Sequence, residues 1–134
     1  MAQLPKKGNS AKSTVTYIKK NVALFSKISG DVNPVHLDAM FAKNTIFKKP
    51  IVHGIYVASQ ISALIANELP GPGSIYLHQE LNFLAPVFHS DIIECVITVI
   101  EVKPEKNIVI LQTTCTNNVT KVKVIDGKAV IKLL

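Results

Sequence analysis

The sequence predicts an α+β fold in which an antiparallel β-sheet wraps a long central helix. Three observations carry this expectation. The segment Val52 to Leu69 has no Gly or Pro beyond Gly54, and Ile55, Tyr56, Val57, Ala58, Ile61, Ala63, Leu64, Ile65 and Ala66 cover most of its circumference. A helix apolar nearly all round has to be covered on nearly all sides. From Ser74 onward the chain is rich in Ile, Val and Thr and is broken by short turn segments, which is strand patterning. No second helical layer follows, so those strands have to supply the cover.

Each element follows from local chemistry. Residues 1–12 are polar and Lys-rich and are expected to be flexible. Thr14 to Ile18 (TVTYI) alternates β-branched and aromatic residues and reads as a first strand. Asn21 caps a short helix to about Ile28, with Val22, Phe25 and Ile28 on one face, ended by Ser29-Gly30. GDVNPVH reads as loop because Gly, Asn and Pro fall in close order. Leu37 to Lys43 is a further short helical piece. After the long helix, Pro70-Gly71-Pro72-Gly73 forms a firm stop. Strands are then expected at Ser74 to Leu84, Asp91 to Lys103, Asn107 to Thr116 and Val119 to Ile125. A last strand, Ala129 to Leu133, would follow a hairpin turn at Asp126-Gly127. The short connections make consecutive strands antiparallel neighbours. The whole chain, 1–134, reads as a single domain.

Composition narrows the function. Apolar residues make up 48% of 134 positions, enough for a core, and with no Trp and 6% aromatics that core is aliphatic. The net charge is +6, and all 15 basic residues are Lys, with no Arg. Arg supplies the planar fork for base edges and bidentate phosphate contacts, so sequence-specific nucleic-acid binding is disfavoured. The lysines are scattered, as on a solvated surface, with a modest attraction for an anionic ligand. Cys95 and Cys115 match no zinc or redox spacing and read as small buried hydrophobes in a reducing compartment. The N-terminal residues lack a signal-peptide apolar stretch. The apolar region Ile51 to Ala66 falls short of the roughly 20 residues a membrane span needs. The expectation is a cytoplasmic protein with no membrane contact.

Two segments could carry chemistry. In Gly30-Asp31-Val32-Asn33-Pro34-Val35-His36 a carboxylate and an imidazole stand five positions apart. If the loop brings Asp31 and His36 to within one water of each other, they form an acid–base pair. Alternatively Asp31 and Asn33 only form loop hydrogen bonds and His36 caps a helix. Pro34 is expected to keep these residues out of regular helix. A calcium loop is excluded because no Glu or Gly follows at the required positions. The second segment, Ile51 to Ile55, opens the long helix. Gly54 there either lets a ligand approach the free N–H groups of a helix N-terminus, as an oxyanion hole needs, or permits tight packing. His53 reads as a positioned structural histidine, or alternatively as a substrate-binding one beside Gly54. Ser62, eight residues past Gly54, either binds substrate or back-bonds to the helix. No nucleophile elbow, phosphate loop or metal-ligand spacing is present.

Taken together, FSKISGDVNPVHLD (Phe25 to Asp38), FKKPIVHGIYVAS (Phe47 to Ser59) and LPGPGSIYLHQELNFLAPVFHSD (Leu69 to Asp91) resemble the MaoC-like, or hydratase 2, family of hot-dog-fold proteins. Among these the chain is most similar to the short single-domain (R)-specific enoyl-CoA hydratases, over about residues 14–134. The resemblance implies a hot-dog fold and a homodimer. It implies syn addition of water to a trans-2-enoyl-CoA, giving the (R)-3-hydroxyacyl thioester. Asp31 and His36 would be the catalytic pair, Asn33 the family's loop Asn, and Gly54 the N–H donor to the thioester oxygen. Ser62 would match a serine near the site. No metal or redox cofactor is implied, since CoA is part of the substrate and its phosphates would meet surface lysines such as Lys48 and Lys49. A (3R)-hydroxyacyl-ACP dehydratase, acting on an acyl-carrier protein, would use the same pair. A hot-dog thioesterase or a non-catalytic acyl-CoA-binding protein are further alternatives.

Overall fold

A computed structural model describes residues 3–134. Its elements are β1 (Ser10–Thr16), α1 (Lys19–Ser29), α2 (Pro34–Leu37), α3 (Ala39–Lys43), α4 (Gly54–Asn67), β2 (Ser74–Phe83), β3 (Ile92–Lys103), β4 (Ile108–Asn117) and β5 (Lys123–Leu133), with a 3-10 turn at Pro104–Lys106. The five strands form one antiparallel sheet in the order β1-β3-β4-β5-β2. The inward residues of β3 and β4 alternate strictly, so Ile93, Cys95, Ile97 and Val99 pack with Val109, Leu111 and Cys115 beneath Val57, Ile61, Leu64 and Ile65 of α4. This is the predicted α+β arrangement of a sheet curled against one long helix.

Several expectations are corrected. The N-terminal segment is already tied down within residues 3–12. Gly8 donates to the Val99 carbonyl at 2.8 Å, Val99 donates to Asn9 at 2.8 Å, and Ser10 opens β1. The polar character there reflects an edge strand with one solvated face rather than looseness. Residues 1–2 lie outside the described residues.

The helix α4 is not covered all round. Val57, Gln60, Ile61, Leu64 and Ile65 are buried, but Ile55, Ser59, Ala63 and Ala66 are exposed. One five-stranded sheet reaches only one side of a helix, and the far side remains bare in a single chain.

Two strand expectations change. The Asp126-Gly127 pair is no hairpin turn but lies inside a continuous β5, with Gly127 paired to Leu81 on one side and Thr113 on the other. A Cβ at Gly127 would strike the Glu80 backbone carbonyl, so the glycine serves a close approach between strands. Nor are β2 and β3 neighbours, since β4 and β5 lie between them. Residues 84–91 reach about 26 Å when extended, whereas crossing the intervening strands needs only about 14 Å. The connection passes Ile51, which forms an isolated bridge with Phe88.

Cys95 and Cys115 are direct cross-strand partners, both fully buried and both free. Contact with the Cys115 thiol and burial together push the Cys95 thiol far above its ordinary range.

Candidate active site

The segment between α1 and α2 is built from short-range turns. Gly30 closes α1 in the left-handed conformation, with φ 80°, and its N–H donates to the Ser26 carbonyl. Three side-chain oxygens then accept in succession from the backbone two residues on: Ser29 Oγ from Asp31 N at 3.1 Å, Asp31 Oδ1 from Asn33 N at 3.3 Å, and Asn33 Oδ1 from Val35 N at 3.2 Å. Such turns are the local bonding that Ser, Asp and Asn favour.

The expectation of loop throughout is corrected at Pro34. It occupies the first position of α2, where its missing N–H costs nothing and its fixed φ suits a helix. His36 therefore sits on a short helix capped by Asn33.

This folding gathers three of the expected residues. The carboxylate of Asp31 and the ring nitrogens of His36 and His53 offer donor atoms that all lie within 4.8 Å of one another. Two hydrogen bonds of about 2.8 Å from one water span such a gap. The loop bonds and the close pair coexist, because Asp31 uses Oδ1 in its turn and Oδ2 has no hydrogen-bond partner among the described residues. Asp31 is exposed and His36 is buried. A grouping of one carboxylate and two imidazoles can also ligate a cation.

Both rings are oriented. His36 Nδ1 lies 2.8 Å from the Ile51 carbonyl, which can only accept, so Nδ1 carries the proton and Nε2 is left free. His53 Nε2 lies 3.1 Å from the Asp31 carbonyl and 2.9 Å from Ser26 Oγ. By the same reasoning Nε2 carries the proton, and the buried Nδ1 has no partner among the described residues. The two imidazoles stack with centroids 3.8 Å apart, and Phe25 meets the His53 ring edge-on at 4.8 Å. Burial pulls the His53 pKa below its ordinary value, the bond to the Asp31 carbonyl opposes this, and the charge of His36 adds to the lowering.

Gly54 is the first residue of α4, where its N–H lacks an intrahelical acceptor. It lines an apolar cavity of about 490 Å³ with Phe47, Ile51, Phe83, Pro86 and Val124. Packing is tight as well as open here, since a Cβ on Gly54 would stand 2.6 Å from Phe83 Cδ1 and Cε1. Ser62 is not brought to the Asp31–His36 pair. It stands about 12 Å farther along the helix axis from Gly54, lining a different cavity of about 400 Å³ with Tyr76 and Leu77. Ser62 Oγ makes no back-bond to the helix, unlike Ser59 Oγ, which donates to the Tyr56 carbonyl.

Sequence reasoning missed His89. Its Nε2 lies 3.1 Å from the His36 carbonyl, and its position inside a short connection gave no periodic signal. It also missed the Ile51 carbonyl, because a main-chain acceptor has no residue signature. Lys49 Nζ lies 4.5 Å from the centre of the Phe88 ring, while Lys48 is exposed with φ 67°.

Comparison with known proteins decides the family, because the MaoC like domain model matches residues 1–123. The chain belongs to the MaoC like domain family. As a MaoC like protein it is 41% identical over 126 residues to the (R)-specific enoyl-CoA hydratase of Rhodospirillum rubrum, covering 94% of this chain and 86% of that one. The solved (R)-hydratase from A. caviae involved in PHA biosynthesis superposes with a TM-score of 0.94 at 39% identity, covering 99% of this chain and 100% of that one. The hot-dog fold of the MaoC like hydratases is thereby shown for this chain. A mitochondrial 3-hydroxyacyl-[acyl-carrier-protein] dehydratase of Arabidopsis thaliana is 32% identical, covering 94% of this chain and 76% of that one.

Proposed function

We propose that this protein is an (R)-specific enoyl-CoA hydratase, a hydro-lyase that adds water to a trans-2-enoyl-CoA with Asp31 and His36 as its acid–base pair. The observation that carries this is the gathering of the Asp31 carboxylate and the His36 imidazole within 4.8 Å, with His36 Nδ1 committed to the Ile51 carbonyl. The similarity to named (R)-hydratases over nearly the whole chain supports it.

The chemistry follows from that geometry. A water held between the two side chains attacks the β-carbon, and its proton passes to the Asp31 carboxylate. His36 enters protonated at Nε2 and gives that proton to the α-carbon, because Nδ1–H stays on Ile51 in either charge state. Proton return from Asp31 to His36 resets the pair. Negative charge develops on the thioester oxygen, and the Gly54 N–H at the start of α4 is the donor for it. One such donor is typically worth about 10²–10³ in rate. Asn33 acts on the loop that carries Asp31, and His53 acts on the placement of both side chains. This mechanism needs no metal or redox cofactor.

We also read the active form as a homodimer. The edge strand β2 exposes Ile75, Tyr76 and Leu77, and α4 exposes Ile55, together an apolar surface that suits a second copy. Ser62 on that side would then serve a site completed by the partner. Among the described residues no helix is long and apolar enough to cross a membrane. Two facing free thiols fit a reducing, cytosolic setting.

The lysines of the segments that precede and follow the Asp31–His36 loop admit a second reading, dehydration on an acyl-carrier protein. Lys19, Lys20, Lys27, Lys43, Lys48 and Lys49 are all exposed. They suit the phosphates of CoA or the acidic surface of a carrier. Hydration of crotonyl-CoA, followed by loss of enoyl absorbance and chiral analysis, tests the proposal. (R)-3-Hydroxybutyryl-CoA is expected. Release of free CoA would make the protein a thioesterase, and turnover of only the carrier-bound substrate would establish the second reading.

A further inference from the structure

His36 sits third in the four-residue helix α2, which has little internal bonding of its own. His36 N donates to the Asn33 carbonyl at 3.1 Å and Asp38 N to Pro34 at 2.9 Å. The His36 carbonyl lies at the end of that helix, where no following turn supplies an N–H. The His89 imidazole fills this place, with Nε2 at 3.1 Å from the oxygen. A carbonyl only accepts, so His89 donates from Nε2.

The support beneath His89 is firmly tied. Val52 N donates to the Val87 carbonyl at 2.6 Å, Phe88 N to Asp91 Oδ2 at 2.9 Å, and Ser90 N to the Tyr17 carbonyl at 2.7 Å. Ile51, whose carbonyl holds the His36 ring, is bridged to Phe88, the residue before His89. The 84–91 connection thus grips His36 twice, by its ring through Ile51 and by its main chain through His89. The other end of the loop is held alike, since His53 Nε2 meets the Asp31 carbonyl at 3.1 Å.

We infer that His89 is a positioning residue for His36, fixing through the main-chain carbonyl where Nε2 stands. This rests on the reading of His36 as the residue that exchanges the proton. A ring tethered at Nδ1 can still swing if its backbone drifts, and a misplacement of about 1 Å can cost up to roughly 10²-fold in rate. His89 Nε2 is committed to the His36 carbonyl, so its effect on the reaction runs through His36.

Three variants test the inference. His89→Leu removes the donor, His89→Gln keeps an N–H at the reach of Nε2, and His89→Asn keeps a shorter amide that falls short. With crotonyl-CoA, His89→Leu and His89→Asn should lower kcat by roughly 10- to 100-fold with KM little changed, and His89→Gln should recover most of the loss. A merely structural role would not separate Gln from Asn in this way.

Imidazole ¹H–¹⁵N spectra without substrate give a second readout. With the ring neutral, at alkaline pH, His36 should be a fixed Nδ1–H tautomer in the wild type and in His89→Gln, and should exchange between tautomers in the other two. Wild-type kcat with an unchanged His36 tautomer in His89→Leu overturns the inference, as does a folded His89→Gln that behaves like His89→Asn. If His89→Leu does not fold, the Gln–Asn contrast decides. If no variant and no wild type turns over any enoyl thioester, the functional reading fails, and the tautomer spectra still decide the role of His89.

Discussion

The Nδ1 of His36 lies 2.8 Å from the carbonyl oxygen of Ile51, which leaves Nε2 as the nitrogen free to exchange a proton. In the proposed mechanism its partner is Asp31, whose Oδ1 takes the Asn33 N–H.

Asp31→Asn keeps an oxygen for the Asn33 N–H and removes only the charge. Turnover should fall by about 10²–10⁴, with the circular dichroism spectrum and melting temperature close to wild type. A folded variant that keeps most of its kcat would remove Asp31 from the mechanism.

Gly54→Ala keeps the N–H but drives a Cβ to 2.6 Å from the Phe83 ring. The crowding should cost about 1–3 kcal/mol and most of the activity. Adding Phe83→Ala should restore both, because the donor was never lost. Stability that returns without activity would show that the glycine is needed for more than space.

The burial of His53 predicts an acid-sensitive fold. Its pKa is lowered in the folded chain, mainly by burial, from an ordinary value of 6.5. Below pH 6.5 the unfolded chain therefore takes up a proton that the folded one refuses. Stability should be full above that pH and should fall as the pH drops toward the lowered folded value. Melting curves between pH 8 and about 5 should show this slope in the wild type and a shallower one in His53→Gln. Equal slopes would place the acid sensitivity elsewhere; His89, also lowered chiefly by burial, is the next histidine to replace.

Gly127→Ala should be among the most damaging single changes, because its Cβ would meet the Glu80 backbone rather than a side chain that can move. A loss above about 3 kcal/mol, or failure to fold, is expected in urea titration. A midpoint near wild type would mean that β2 and β5 can separate locally at no cost.

Exhaustive chelation should leave hydration untouched, although Asp31, His36 and His53 stand close enough to hold a cation. A loss restored by one divalent metal would replace the proposed acid–base mechanism with a metal-assisted one.

Much of this architecture was legible in advance, and the exceptions have physical causes. The β3 and β4 ladders declared themselves because their apolar alternation matches their burial, and the central helix because its apolar run is long and unbroken, although one side of it is exposed. Asp126-Gly127 misled because the same dipeptide serves a hairpin and a close approach between strands, and only the position of Glu80 distinguishes them. Pro34 misled because it interrupts a helix but also starts one. Asp31 and His36 were readable as a spacing. The Ile51 carbonyl and His89 were not, because they reach the loop through connections whose path depends on the whole sheet.

Cys95 and Cys115 face each other on β3 and β4, sealed from solvent, and the Cys115 contact together with burial disfavours the reactive thiolate of Cys95. An alkylating reagent can reach them only after these central strands have parted, and parting them dismantles most of the core. The rate at which the native protein takes up label is therefore a clock for wholesale opening, read without denaturant and without any engineered probe. With reagent in excess, each labelled chain records one occasion on which the fold came apart.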